Sequence, residues 1–560
     1  MIIDGIPVAI EGEKNILEVI RKAGIKLPTF CYHSELSIYG ACRMCMVEDE
    51  KGRLDAACSA EPRAGMVIRT NTEKLQKYRK MILELILANH CRDCTTCQSN
   101  KNCKLQDLAS RFHIENVRFP NRSEEARKDT SSSCITKNNG KCILCGDCVR
   151  MCNEVQNVGA IDFARRGSKM TISTAFDVPL AHSACVGCGQ CAAVCPTGAI
   201  VVKDDSSRLW KDLYDPNIKV TAQIAPAVRV AIGKELGLSV QDQNAFGLIV
   251  SALHRMGFDE VFDTATGADM TVLEESNELL KRLESGEQEY PLFTSCCPAW
   301  INYCEKNYPE LLPHISTCRS PMQMLAAVVK EHNVVASSRK VVHVAIMPCT
   351  AKKFEAERNE FKSEGVPYVD YVITTQELIK MIRESGIVFN ELEAESADTP
   401  FGAMTGAGII FGATGGVTEA VLRRISSDKS STGLRTIVMH GIRGMDGVKE
   451  TTVMMGKREI RIAIVSGLGN ASKLIEQIKA GKHYDFVEVM ACPGGCVSGA
   501  GQPYVPNYEK AERADGLYSS DRLMSIKRSE ENPLMMNLYN GLLKGRVHEL
   551  LHVRYGSGGE

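Results

Sequence analysis

The pattern of apolar and polar positions changes character near residue 215. Before it, the predicted elements are short. Ile2-Ile3-Asp4-Gly5-Ile6-Pro7-Val8-Ala9-Ile10 reads as two short strands about a turn at Asp4-Gly5. Asn15 to Ala23 reads as a short helix, and Glu73 to Ala88 as a longer one. Residues 118–138, rich in Arg, Asn, Ser and Lys, predict a linker or long surface loop. From about residue 215, strands and helices alternate. Val220 to Pro226 reads as a strand, Ala245 to Met256 as a helix, and Val341 to Met347, Ile460 to Val465 and Phe486 to Met490 as strands. Two of these strands end just before a cysteine, Cys349 and Cys492. Ligands at the carboxyl ends of buried strands fit the rule for open α/β sheets. Gly406, Gly408, Gly412, Gly415 and Gly416 mark a tight segment; with no Lys-Ser/Thr or ribose-binding acid after it, it predicts close packing rather than a phosphate loop. Gly556-Ser557-Gly558-Gly559 reads as a flexible tail.

Composition narrows the class. At 560 residues the chain should hold three or more domains. A formal net charge of −1 offers no strong field to nucleic acid or to an anionic membrane. There is no apolar run of 18 residues, and the N-terminus lacks the basic and apolar regions of a secretory signal, so a cytoplasmic location is expected. The 24 cysteines are grouped, and in a large chain without a signal such C-x2-C groups read as metal sites rather than disulfides.

Four cysteine groups precede residue 200. Cys31, Cys42, Cys45 and Cys58 could hold zinc, but the strand–helix pattern before them resembles a β-grasp ferredoxin with a 2Fe–2S cluster, as found in hydrogenases and complex I. His90, Cys94, Cys97 and Cys103 form H-x3-C-x2-C-x5-C, a set that could also bind zinc. Directly after a ferredoxin domain it resembles the His/Cys3 4Fe–4S site of the same families. Cys142, Cys145, Cys148 and Cys152 form C-x2-C-x2-C-x3-C, and Cys185, Cys188, Cys191 and Cys195 repeat it before Pro196. This is the two-cluster ferredoxin pattern, in which each fourth cysteine ligates the other cluster: Cys142, Cys145, Cys148 with Cys195, and Cys185, Cys188, Cys191 with Cys152. The 32 residues between the runs suggest an insertion.

Three further stretches carry the remaining chemistry. They are Thr294-Ser295-Cys296-Cys297-Pro298-Ala299-Trp300, Met347-Pro348-Cys349-Thr350-Ala351-Lys352-Lys353 and Glu488-Val489-Met490-Ala491-Cys492-Pro493-Gly494-Gly495-Cys496. Cys297, Cys349, Cys492 and Cys496 make the ligand count of one 4Fe–4S cluster, with Cys296 left over. In order and separation these stretches resemble the three signatures of the iron-only (FeFe) hydrogenases, and the resemblance covers nearly the whole chain. It implies a multidomain α/β and α+β protein: a 2Fe–2S domain at 1–77, a His/Cys3 4Fe–4S domain at 78–120, a two-cluster ferredoxin-like domain at 138–208 and an α/β H-cluster domain at 215–555. The H-cluster is a 4Fe–4S cubane bridged to a two-iron subsite with CO, cyanide and a dithiolate. One 2Fe–2S and three further 4Fe–4S clusters would relay electrons, the ferredoxin-like pair nearest the catalytic domain. The implied activity is the reversible interconversion of H2 with protons and electrons, in an anaerobic setting. The implied partners are ferredoxin or NAD(P)H-linked subunits, and maturation proteins that install the subsite.

The resemblance also implies residue roles. Cys496 would bridge cubane and subsite, Lys352 would meet a cyanide nitrogen with its ammonium, and Met347 and Met490 would give soft contacts near the open position. A proton route would run from Cys296 through Glu275 and Ser316 to Glu278, with Arg282 at the outer end. Glu275 and Glu278 share one helix face by their spacing. Taken alone, that face is a solvated one with a Glu278–Arg282 pair. Departures from the family pattern are Ala299, Ala500, Ala227 and Met322, expected to tune packing and hydrogen bonding around the subsite. A non-catalytic complex I-like electron-transfer subunit would explain residues 1–200 but not the last four cysteines. A hydrogenase-like sensing or assembly protein with a plain cubane would not explain Cys296 and Lys352. Cys91, Cys134, Cys304 and Cys318 carry no assigned role.

Overall fold

The computed structural model describes residues 1–121, 128–238, 245–286, 289–455 and 458–556. The expected tail beyond Gly556 and residues 122–127 of the expected loop lie outside the described residues. The chain forms two compact units. One comprises Met1–Val155, Gly159–Ser183 and Val194–Val201; the other comprises Gln156–Val158, Ala184–Ala193 and Val202–Glu560.

The first unit opens on the expected hairpin. β1 (Ile2–Ile3) and β2 (Ile6–Pro7) pair antiparallel about Asp4 and Gly5, both at positive φ. With β3 (Met46–Asp49), β4 (Leu54–Ala56) and β5 (Val67–Arg69) they form a mixed sheet in the order β2-β1-β5-β3-β4. The helix Ile16–Lys22 buries Ile16, Leu17, Val19 and Ile20 against Ile3, Val47 and Ile68. Asn15 caps it, its side chain accepting from the Glu18 amide at 3.1 Å. The helix Glu73–Ala88 has the predicted bounds and is capped by Thr72. Its Leu83 joins Leu105, Leu108 and Phe112 in a second small core.

The segment expected as a loop is partly sheet. β6 (Lys128–Asp129) pairs with β7 (Ile135–Asn138) in a three-stranded sheet, order β10-β7-β6, with β10 at Ile200–Val202. Alternate residues of β7, Ile135 and Lys137, are buried, a two-residue period too short to stand out in a polar stretch. The expected insertion between the two cysteine runs holds a hairpin, β8 (Asp162–Ala164) and β9 (Thr171–Ser173).

The second unit contains β11 (Ile218–Ile224), β12 (Glu260–Asp263), β13 (Leu292–Phe293) and β14 (Lys340–Met347). A small hairpin, β15 (Lys362–Ser363) and β16 (Val366–Pro367), follows. Then come β17 (Tyr371–Thr374), β18 (Val448–Met455), β19 (Arg458–Ser466) and β20 (Phe486–Met490). They make two four-stranded sheets, β12-β11-β14-β17, all parallel, and β13-β20-β19-β18, parallel except at β18. Ile224, Ile346 and Ile373 align across three neighbouring strands, so continuous apolar runs replace alternation. The first strand ends at Ile224 rather than at the expected Pro226. Pro226 instead starts the helix Pro226–Glu235, where its missing N–H costs nothing.

The helix Ala265–Ser285 runs through this unit, with every residue from Ala265 to Ser276 buried. The glycine segment lets backbone approach it. A Cβ on Gly408 would lie 2.5 Å from the Ala265 carbonyl oxygen, and one on Gly416 would lie 1.9 Å from that of Ile410. Close packing is thus the use of these glycines.

Candidate active site and cluster sites

Three strand ends and one loop converge in the second unit. Cys296 and Cys297 follow β13 and precede the helix Pro298–Asn307, Cys349 follows β14, and Cys492 follows β20. Cys496 opens a short turn held by Gly494 and Gly495 at positive φ. All five cysteines, with Met347, Met490, Lys352, Ala227, Met322 and Phe411, line one cavity of about 90 Å³.

Cys296 and Cys492 are buried and Cys297, Cys349 and Cys496 half-buried, and loss of solvent pushes the thiols up: Cys349 to about 11, Cys492, Cys496 and Cys296 further. Each of the four candidate ligands except Cys297 is also raised by the charge of its neighbours among them. Four thiolates in one dry cavity repel one another unless a cationic core sits between them. An iron–sulfur cluster is such a core, so the donor set fits it. Cys297 Sγ also accepts a hydrogen bond from the Ala491 amide at 3.4 Å.

Lys352 is 8% exposed. Its Nζ donates to the Cys296 carbonyl at 3.2 Å and to Glu355 at 2.7 Å. Burial opposes its charge, but Glu355 and the nearby thiols hold its pKa above the ordinary lysine value. The ammonium is therefore held inside the unit and not in solvent. Of the departures, Ala227 and Met322 line the cavity and offer it only apolar atoms, while Ala299 and Ala500 are buried in packing.

Glu275 is fully buried, and neither carboxylate oxygen has a hydrogen-bond partner. Burial, then the charge of Glu278, pushes it up to about 8, with the Ser295 amide and the Ser316 side chain acting weakly against the shift. Glu275 is therefore neutral at pH 7 and carries a proton. Glu278 is half-buried. Burial opposes its charge, yet the His552, Ser316 and Thr317 side chains hold it below the ordinary value. The Ser316 side chain thus acts on both carboxyls, and its Oγ accepts from the Cys318 amide at 3.2 Å.

Arg282 does not pair with Glu278. Its guanidinium donates to the Tyr290 carbonyl at 3.0 Å and contacts His314 Nδ1 at 3.1 Å. Glu278 accepts from the Thr317 amide at 3.1 Å and from its hydroxyl, and the charged group facing it is His552, with Nδ1 3.6 Å from Oε1. Burial opposes the imidazolium, but Glu274 and Glu278 raise His552 to about 9. Sequence reasoning missed His552, which comes from the far end of the chain and closes His548-Glu549-Leu550-Leu551-His552, a spacing that could have drawn attention to it. It also missed Glu488, whose carboxylate accepts from the Gly415 and Thr418 amides at 2.6 and 2.8 Å and ties the glycine segment to β20.

In the first unit, Cys31 Sγ accepts from the Cys42 amide at 3.3 Å and Cys42 Sγ from the Phe30 amide at 3.4 Å. The nearness of Cys31 to Cys42 and of Cys45 to Cys58 pushes Cys31 and Cys45 up and holds Cys42 and Cys58 down. His90 and Cys94, Cys97 and Cys103 line one cavity of about 100 Å³. His90 Nδ1 accepts from the Arg92 amide at 3.1 Å, whereas buried Nε2 has no partner. Burial lowers His90 to about 4, so the imidazole is neutral and its orphan nitrogen suits a metal. Cys91 lines the same cavity. Cys142, Cys145, Cys148 and Cys195 line a smaller cavity together. Cys152 falls in the first unit, and Cys185, Cys188 and Cys191 fall in the second.

Comparison with known proteins agrees with this chemistry. The profile of the iron only hydrogenase large subunit, C-terminal domain, matches residues 218–500, and that of the iron hydrogenase small subunit matches 507–558. Upstream, a 2Fe-2S iron-sulfur cluster binding domain matches 1–73, the NADH-ubiquinone oxidoreductase-G iron-sulfur binding region 79–118, and a 4Fe-4S dicluster domain 141–199. The chain is 40% identical to the NADP-reducing hydrogenase subunit HndD of Solidesulfovibrio fructosivorans, over 99% of this chain and 98% of that one. It is 35% identical to iron hydrogenase 1 of Clostridium pasteurianum, over 99% of each. A solved variant of the FeFe-hydrogenase HydA1 from Chlamydomonas reinhardtii is 39% identical and covers 64% of this chain and 100% of its own, with a TM-score of 0.54. The chain belongs to the iron-only (FeFe) hydrogenases. It joins an H-cluster catalytic domain to 2Fe–2S and 4Fe–4S ferredoxin-like domains. No described helix is long and apolar enough to cross a membrane.

Proposed function

We propose that this enzyme interconverts H2 with two protons and two electrons at a cluster held by Cys297, Cys349, Cys492 and Cys496. The observation that carries the reading is the shared buried cavity of those four thiols with Cys296 and Lys352, two groups a plain cubane does not need. When bound, the two-iron subsite would supply the open position where hydrogen is split or formed.

The chain's own residues do the rest. Lys352, fixed by Glu355 and the Cys296 carbonyl, brings a dry ammonium to the cavity wall, where it can hold an anionic ligand. Met347, Met490 and Phe411 keep water out. Cys296 hands protons to and from Glu275, and Ser316, whose side chain acts on both carboxyls, would close up to pass them between Glu275 and Glu278, which opens toward solvent. Arg282 contributes charge from one turn away.

We read the upstream region as a β-grasp 2Fe–2S domain at 1–77, a His/Cys3 4Fe–4S domain at 78–120 and a two-cluster ferredoxin-like domain at 138–208, before a catalytic domain at 215–555. The orphan Nε2 of His90 supports the histidine-ligated cluster. The count is then one 2Fe–2S and three 4Fe–4S clusters besides the H-cluster. The NADP-reducing relative and the oxidoreductase-G match favour NAD(P)H-linked partner subunits in the cytoplasm over ferredoxin alone. Maturation proteins would install the subsite.

Cys296→Ala tests the relay. Iron content should match wild type while turnover falls by about 10²–10⁴. Wild-type turnover in that variant would remove Cys296 from the route.

A further inference from the structure

Three donors of different softness meet where the helix Ala265–Ser285 faces the end of the chain. A Glu278 carboxylate oxygen, Cys318 Sγ and a ring nitrogen of His552 all lie within 4.8 Å of one another. Nδ1 is the nitrogen turned to Glu278. Nε2 faces the other way, 3.2 Å from Glu274 Oε2, and the other Glu274 oxygen accepts from the Tyr539 hydroxyl at 2.6 Å. A carboxylate on the far nitrogen of an imidazole is the arrangement that fixes ring and tautomer for a metal on the near one.

The backbone holds these groups in register. Cys318 and His552 form an antiparallel bridge, with the Arg319 amide on the Leu551 carbonyl at 2.8 Å and the Val553 amide on that of Thr317 at 2.7 Å. The Arg319 side chain donates to the carbonyls of His552 and Glu549 at 3.0 and 2.9 Å. Cys318 has no part in cluster binding or in the proton route. Thr317 is exposed beside it, its hydroxyl donating to Glu278 and lying 2.7 Å from His552 Nδ1.

We propose that Glu278, Cys318 and His552 form a binding site for a zinc-class divalent cation, its fourth position open to solvent at Thr317. One thiolate, one imidazole and one carboxylate suit a borderline ion of tetrahedral habit. Binding replaces the Thr317 bridge between Glu278 and His552. Cys318 releases its thiol proton and His552 its Nδ1 proton to solvent as the ion binds, and no electron moves. One consequence rests on the relay reading above. A cation on Glu278 occupies the lone pairs that exchange protons with Ser316, so zinc should inhibit turnover and a chelator should restore it.

The test uses the anaerobic holoenzyme with one equivalent of zinc chloride. X-ray absorption at the zinc edge sees zinc apart from the many irons. The expected shell is one sulfur at about 2.3 Å with nitrogen and oxygen at about 2.0–2.2 Å. Cys318→Ser should lose the sulfur and bind zinc more weakly, while its zinc-free turnover, at the wild-type level, reports an intact fold. Tyr539→Phe, which loosens Glu274, should weaken zinc binding by about 10–100-fold. A wild-type shell without sulfur, an all-sulfur shell, or a shell unchanged in Cys318→Ser overturns the site. A one-sulfur shell that vanishes in Cys318→Ser, with turnover indifferent to zinc, upholds the site and removes Glu278 from the proton route.

Discussion

Glu275→Gln should make the catalytic unit more stable and nearly inactive at once. The carboxyl is 0% exposed and its two oxygens find no partner. Moving it from 4.5 to about 8 is worth about 5 kcal/mol at 1.36 kcal/mol per pH unit. The folded state keeps its proton when the unfolded chain has lost it. The stability linked to that proton is therefore complete below pH 4.5 and is lost as pH rises to about 8. Glutamine has nothing to ionise and is spared this loss. The advantage of the variant should grow by about 1.4 kcal/mol per pH unit, or about 2.5 kcal/mol between pH 6 and pH 8. For a unit of this size that separates the two melting temperatures by roughly a further 3 °C. The assay is anaerobic scanning calorimetry of both proteins at matched iron content across that range, with hydrogen evolution measured in parallel. Turnover should fall by about 10²–10⁴, since the neutral amide cannot pass a proton on. A melting-temperature gap independent of pH would refute the buried neutral carboxyl, and wild-type turnover would refute its place in the route.

Two further substitutions probe the metal sites. His90→Cys should keep its cluster and shift its midpoint potential downward, because a thiolate adds a negative charge that imidazole does not; redox titration followed by electron paramagnetic resonance reads this, and an unchanged potential would contradict ligation by His90. Gly499→Ala would place a Cβ 2.1 Å from the Pro348 carbonyl oxygen, wedging apart the loops that carry Cys349 and Cys496. It should cost about 1–3 kcal/mol and lower the iron bound in the catalytic unit, measured by iron analysis; full iron content would show that the loops can yield.

Much of this was legible because the chemistry is local. The C-x2-C runs, the strand ends before Cys349 and Cys492, and the helix Glu73–Ala88 each depend on neighbours within a few residues. What escaped depends on distant ones. Spacing alone put Arg282 against Glu278, but the guanidinium found the Tyr290 carbonyl and His314 instead. The place at Glu278 went to His552, held there by bridging to Cys318. His552 sits between Leu551 and Val553 with His548 four residues before it, and nothing in that stretch points to Glu278 or Cys318 far back in the chain. The strand β7 was hidden for a different reason: four residues of alternating burial, one of them a lysine, look like loop.

The central claim is that the cavity of Cys297, Cys349, Cys492, Cys496, Cys296 and Lys352 holds a two-iron subsite and not a cubane alone. An infrared spectrum tests it on protein produced with the hydrogenase maturation proteins, before and after exposure to hydrogen. The account predicts bands from metal-bound CO and cyanide that shift under hydrogen. A spectrum without such bands, from protein whose 4Fe–4S clusters are full, would contradict it.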